Sequence, residues 1–189
     1  MALVGGLHTA HYRCEPSAAW RSITADWPLL KRAFILPLRW SSVQLRHARA
    51  RAALALADRL RRGPAAGIAD DEGPPRNELL RDAERQLRWL RRDRQRMSAP
   101  FADLVEAGLA HQRDDRGAAD AALARAVDGF DRLDMGLYRE AARLALGRRQ
   151  AASEGDAFSD RALQWMADQE VVDPERLAGA LVCGVGLPL

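Results

Sequence analysis

The sequence predicts an all-α protein, a stack of antiparallel helical hairpins, and three observations carry that expectation. Phe101, Leu104, Val105, Gly108 and Leu109 fall at i, i+3, i+4, i+7 and i+8, which puts them on one helix face. A polar turn, Asp114-Asp115-Arg116-Gly117, interrupts the pattern before Ala119, Ala122, Leu123, Ala126, Val127, Phe130 and Leu133 resume it, the mark of an αα-hairpin. The unit then recurs, because Phe101 and Tyr138, like Leu109 and Leu146, are 37 residues apart, close to the period of helical-hairpin repeats. No stretch shows sustained two-residue alternation, so no sheet is expected.

At 189 residues the chain can form one domain with a real core or a short array of repeated units. Alanine inflates the 48% hydrophobic share, so the core should consist of many close helix contacts rather than a few large side chains. With 29 basic against 26 acidic residues the net charge is only +3, which is not the footprint of a general nucleic-acid binder. Lys31 is the sole lysine; every other basic residue is arginine. Cys14 and Cys183 stand far apart in segments that read as chain ends, which fits a reducing compartment. No signal-peptide pattern and no run of about 20 apolar residues occurs, so the expected location is the cytoplasm, with no membrane partner.

In order, residues 1–16 lack periodicity, contain Gly5-Gly6 and are expected to form a flexible N-terminal segment. His8, His11 and Cys14 make a string of three ligand types, but a structural zinc site wants a fourth, and no metal site is expected. The first hairpin spans 17–62. Its first helix, Ser17 to Leu36, spaces Trp20, Ile23, Trp27, Leu30 and Phe34 for burial, with Pro28 expected to kink or break it. Its second helix, Leu38 to Arg62, carries Leu38, Leu45, Ala52, Leu56 and Leu60 on one face and Ala50, Ala53, Leu54 and Ala57 on the other. A helix apolar on two sides belongs between two neighbours. Arg49 lies inside the apolar stripe and is expected to snorkel or to pair with a carboxylate of an adjacent helix.

Residues 63–76, with three glycines, three prolines and an Asp70-Asp71-Glu72 run, read as a flexible connection. Residues 77–182 should hold the remaining hairpins and a capping helix. Asn77 is expected to cap a helix running to about Arg96, with Leu79, Ala83, Leu87, Leu90 and Met97 buried. Its outer side carries Arg81, Arg85, Arg88, Arg91, Arg92, Arg94 and Arg96 against Glu78, Asp82, Glu84 and Asp93, with a favourable Glu84 to Arg88 spacing. Trp89 should lie either exposed beside these arginines or packed against the next helix. After the Phe101 to Leu133 hairpin, Asp134-Met135-Gly136 turns into a helix from Leu137 to Arg148. Ser153-Glu154-Gly155-Asp156 is expected to break the pattern before a helix with Phe158, Ala162, Trp165 and Met166 on its face. Asp173-Pro174 is a strong helix start for a short closing helix to Leu181, and residues 183–189 form a tail.

Four stretches together carry a family resemblance: Leu45-Arg46-His47-Ala48-Arg49 with the preceding Trp27-Pro28; Asp103-Leu104-Val105-Glu106-Ala107-Gly108-Leu109-Ala110; Gly129-Phe130-Asp131 with Asp134-Met135; and Trp165-Met166-Ala167-Asp168-Gln169 with Asp173-Pro174-Glu175-Arg176-Leu177. Spanning about Ser17 to Leu181, they resemble the C-terminal tetratricopeptide-like region of large bacterial serine/threonine protein kinases, of the myxobacterial type, and of related signalling ATPases. The resemblance implies a tetratricopeptide-like α-α superhelix and a non-catalytic, protein-binding module derived from a kinase-type regulator. It does not imply that this chain phosphorylates anything, since it lacks a glycine-rich phosphate loop, a Val-Ala-Ile-Lys strand, a His-Arg-Asp loop and an Asp-Phe-Gly motif.

Other catalytic signatures are equally absent: there is no Gly-x-Ser-x-Gly elbow, His-Glu-x-x-His pair or Walker loop. His111, near a helix end, should serve the free carbonyls there, and Asp114-Asp115 should cap the following helix. The expectation is therefore a module without catalysis, cofactor or metal, whose curved face holds a peptide or helix of a signalling partner. The alternative is contact with a nucleic acid or another anionic partner through Arg81, Arg85, Arg88, Trp89, Arg92 and Arg96.

Overall fold

The computed structural model describes residues 9, 12–13, 15–32, 39–63, 73–150, 152–182 and 184–185. These contain eight helices and no strand: α1 (Pro16–Arg32), α2 (Arg39–Arg62), α3 (Arg76–Arg92), α4 (Ser98–Gln112), α5 (Arg116–Asp131), α6 (Gly136–Gly147), α7 (Ala152–Asp168) and α8 (Pro174–Leu181). The chain is all-α, as its periodicity requires. Each helix from α1 to α8 packs on the next, and α2 also meets α4, as α6 meets α8. The His8, His11 and Cys14 string and the Asp70-Asp71-Glu72 run lie outside the described residues.

The centre is α2, where every residue from Ala50 to Asp58 is buried. Its two apolar sides face different neighbours: Leu45, Ala48 and Ala52 join Ile23 and Trp27 of α1 in one cluster, while Ala50, Ala53, Leu54 and Ala57 join the main core. Leu60, expected on the buried face, is exposed in the last turn. At the heart of the main core Phe101 of α4 has ring centroids of His47, Phe130 and Tyr138 within 4.6, 5.1 and 4.9 Å, so α2, α4, α5 and α6 converge on one ring. Burial pushes the Tyr138 phenol up from its ordinary value, with the charge of Arg51 opposing.

Four local expectations need correction. Pro28 does not break α1, which runs on to Arg32 with Pro28 on its exposed face. Asn77 is not the cap of α3: the helix begins at Arg76 after extended Pro75, and no side chain caps it. It also ends at Arg92 rather than Arg96, since Asp93 turns to extended backbone and its carboxylate accepts from Ser98 Oγ and from the Gln95 amide at 3.4 Å. Finally, Ser153 to Asp156 lies inside α7 instead of separating it from α6, which ends at Gly147. Gly155 is there for contact, not for a turn: a Cβ on Gly147 would stand 2.7 Å from the Gly155 carbonyl oxygen, and one on Gly155 would overlap the Gly147 carbonyl.

Other caps follow the sequence. Asp115 accepts from Ala118 N at 3.0 Å to start α5, and Asp173 accepts from Arg176 N at 3.0 Å to start α8. Beyond α8 the chain returns to α2: Gly184, at φ +79°, is so close that a Cβ would lie 2.8 Å from that of Leu54, and Val185 is fully buried.

Candidate partner-binding surface

Arg81, Arg85, Arg88 and Arg92 occupy positions i, i+4, i+7 and i+11 of α3 and all four are exposed. At about 100° and 1.5 Å per residue they fall in an arc of about 60° along about 16 Å of helix, a single line of guanidiniums. Arg85 donates to Asp82 at 2.6 Å. Arg81, Arg88 and Arg92 have no hydrogen-bond or ion-pair partner among the described residues. Arg96 is exposed but lies past the end of α3, so it does not extend the line. Glu84 does not face Arg88; it pairs with Arg113 at the end of α4.

Trp89 packs against the main core instead of standing open beside the arginines. It is half-buried, with the Arg46 guanidinium of α2 over its ring at 4.2 Å, so its face is already covered. Arg46 also lies 5.8 Å from the Trp27 ring and donates to Gln86 at 3.1 Å. One turn on, Arg49 packs 4.5 Å from Trp27 and 5.3 Å from Trp20, and its Nε and Nη2 donate to the two Asp82 oxygens at 2.9 and 3.1 Å. The expected carboxylate partner of Arg49 is thus Asp82. Burial alone would push the Asp82 carboxyl up, yet the bonds and charge of Arg49, then of Arg85, hold it below the usual carboxylate range. Burial, with Arg49 adding a like charge, lowers Arg46 from its ordinary value.

Asp82, expected with the acids on the outer side of α3, is instead buried: it lies with Gln86 on the same stripe as Leu79, Ala83 and Leu90, where an acid needs a partner, a signal the spacing already held. The same holds elsewhere. The four buried carboxylates among the described residues, Asp58, Asp82, Asp103 and Glu140, all carry arginine partners. Asp103 and Glu106 of α4 hold Arg91 of α3 and Arg125 of α5 together, tying three helices.

No family model, curated protein or solved structure matches the chain. The kinase-region resemblance accordingly rests on the residues quoted for it. Among the described residues no group of three or more histidines, cysteines or acids is placed to hold a metal, and no helix is long and apolar enough to cross a membrane.

His111, expected at free carbonyls, lies among charged side chains. Its Nε2 lies 2.8 Å from Arg61 Nη2 and 3.6 Å from Asp58 Oδ1, and its Nδ1 lies 3.2 Å from Arg149 Nη1. Burial alone would raise the Asp58 carboxyl, but its bonds to His111 and Arg61 and the charge of Arg62 hold it well below the usual range. Such a network joins α2, α4 and the end of α6. Among the described residues no serine or cysteine side chain has a hydrogen bond to His111 that would pair a nucleophile with a base.

Proposed function

We propose that the chain is a tetratricopeptide-like stack of helical hairpins acting as a non-catalytic recognition module, and that the outer face of α3 binds an acidic segment of a partner protein. The observation that carries this reading is the line of Arg81, Arg85, Arg88 and Arg92, three of which have no counter-charge among the described residues. Arg91, Arg113, Arg125 and Arg148, by contrast, meet acids of other helices, so exposed guanidiniums held in register along one helix face favour a surface shaped for a partner. A helix with acids at the same spacing would meet all four. The packing of α2 on α4 and of α6 on α8 supports the hairpin-stack part of the reading, since repeat arrays bring alternate helices together. The kinase-region resemblance fits a role as the recognition segment of a signalling regulator.

Nucleic acid is the second reading, favoured by the same guanidiniums. Trp89 argues against it, because single-strand binders stack bases on open aromatic faces and Arg46 covers this one. The deciding experiment is a fluorescence-anisotropy titration with labelled acidic helical peptide and, separately, with labelled DNA and RNA. Saturable peptide binding that is lost in an Arg81→Glu, Arg88→Glu, Arg92→Glu triple variant supports the proposal. Tighter binding to DNA or RNA, or equal binding by wild type and variant, rejects it.

A further inference from the structure

Away from α3, the ends of α4 and α6 and the start of α5 border a cavity of about 370 Å³, lined among the described residues by His111, Asp114, Arg116, Arg148, Arg149 and Val185. This is the size of a small-ligand pocket. Three guanidiniums and an imidazole face one carboxylate across it. We propose that this cavity is an oxyanion site that takes a phosphate group, and the proposal does not depend on the reading of α3.

Arg149 forms the fixed wall. Only 11% of its side chain is exposed, and it is held by Asp120 at 2.6 Å, by the Val185 carbonyl at 3.0 Å and beside His111 at 3.2 Å. Rigid guanidiniums bind anions well because little freedom remains to be lost. Arg116 is exposed and donates to the Arg149 carbonyl, with no carboxylate partner among the described residues, which leaves its charge uncompensated. Arg148 reaches Glu175 with a side chain that is still 44% exposed, so it can turn toward a ligand. Two forks on the rim suit the tetrahedral oxygens of a phosphate, which arginine contacts in pairs, while Arg149, whose nitrogens already donate to Asp120, Val185 and Arg116, adds its charge from behind. Asp114, the one lining acid among the described residues, is 83% exposed and 3.6 Å from Arg61, and opposes the anion from the rim. The remaining space, well beyond that of inorganic phosphate, leaves room for the group that bears it.

Isothermal titration calorimetry with inorganic phosphate and pyrophosphate tests the site. Wild type is expected to bind saturably, one per chain. Arg116→Gln with Arg148→Gln, both rim changes, should weaken binding by about tenfold or more, while Asp114→Asn should strengthen it by about threefold. Should the double variant melt early, the sign of the Asp114→Asn effect decides. Absence of saturable binding up to about 10 mM, unchanged affinity in the double variant, or weaker binding by Asp114→Asn overturns the proposal. A further arm compares a phosphoserine peptide with a free phosphate monoester. Preference for the peptide assigns the phosphate to a modified protein, and preference for the monoester to a metabolite.

Discussion

Tyr138 presents its ring edge-on to Phe101, with centroids 4.9 Å apart and planes at 84°, although the two residues are 37 positions apart in the chain. Each stands near the start of its helix, so the spacing read in the sequence becomes a direct contact between α4 and α6. Phe130 stacks on the same tyrosine at 5.3 Å, which locks the intervening α5 into the seam.

Truncating either ring should therefore be costly and coupled. Phe101→Ala and Tyr138→Ala are each expected to lose about 3–5 kcal/mol in urea unfolding. The double variant should lose less than the sum by about 0.5–1.5 kcal/mol. Strict additivity would show that the rings do not act on each other.

The Arg49 to Asp82 pair should behave as a buried one. Asp82→Asn leaves a guanidinium with 11% side-chain exposure short of its counter-charge and is expected to cost about 3–5 kcal/mol. Arg85→Gln, which removes the exposed member of the same group, should cost under about 1 kcal/mol. Thermal melts of the two variants side by side give the comparison, and equal losses would refute the assignment.

Acid should loosen the α2 seams. Asp58 and Asp82 both have carboxyl groups lowered from an ordinary value of 3.8. A lowered carboxyl stabilises the folded state fully above its unfolded value and loses that contribution as pH falls through and below 3.8 toward the folded value. The urea midpoint is therefore expected to fall below about pH 4, and Asp82→Asn should show a shallower fall than wild type. Parallel pH profiles would exclude Asp82 as a source.

Two glycines in helices should respond in opposite directions to alanine. Gly155→Ala drives a methyl into the Gly147 carbonyl and is expected to cost about 1–3 kcal/mol. Gly117, in the first turn of α5, has only an Asp115 oxygen at 4.0 Å from its ideal Cβ, so Gly117→Ala should be neutral or stabilise by about 0.4–1 kcal/mol. Differential scanning calorimetry reads both, and a stabilised Gly155→Ala would show that α6 and α7 do not approach so closely.

Charge reversal on α3 should leave the fold alone. Arg81, Arg88 and Arg92 are exposed and without partners among the described residues, so Arg81→Glu, Arg88→Glu and Arg92→Glu together should shift stability by no more than about 1 kcal/mol in urea. A larger loss would mean that these side chains belong to the packing and not to a free surface.

The sequence by itself determined the helical class, most helix positions, the Asp115 and Asp173 caps and the line of arginines on α3, because each depends on residues within a few turns of one another. Periodicity and capping are local physics. Only the tertiary structure decided that Asp82 answers Arg49, that Arg46 covers Trp89, that Gly155 serves contact with Gly147 within a continuous helix, and that Arg116, Arg148 and Arg149 gather around His111. Those arrangements join residues that are neighbours only once the helices have packed, and the burial that makes an acid seek a guanidinium, or a glycine the one residue that fits, does not exist along an unfolded chain.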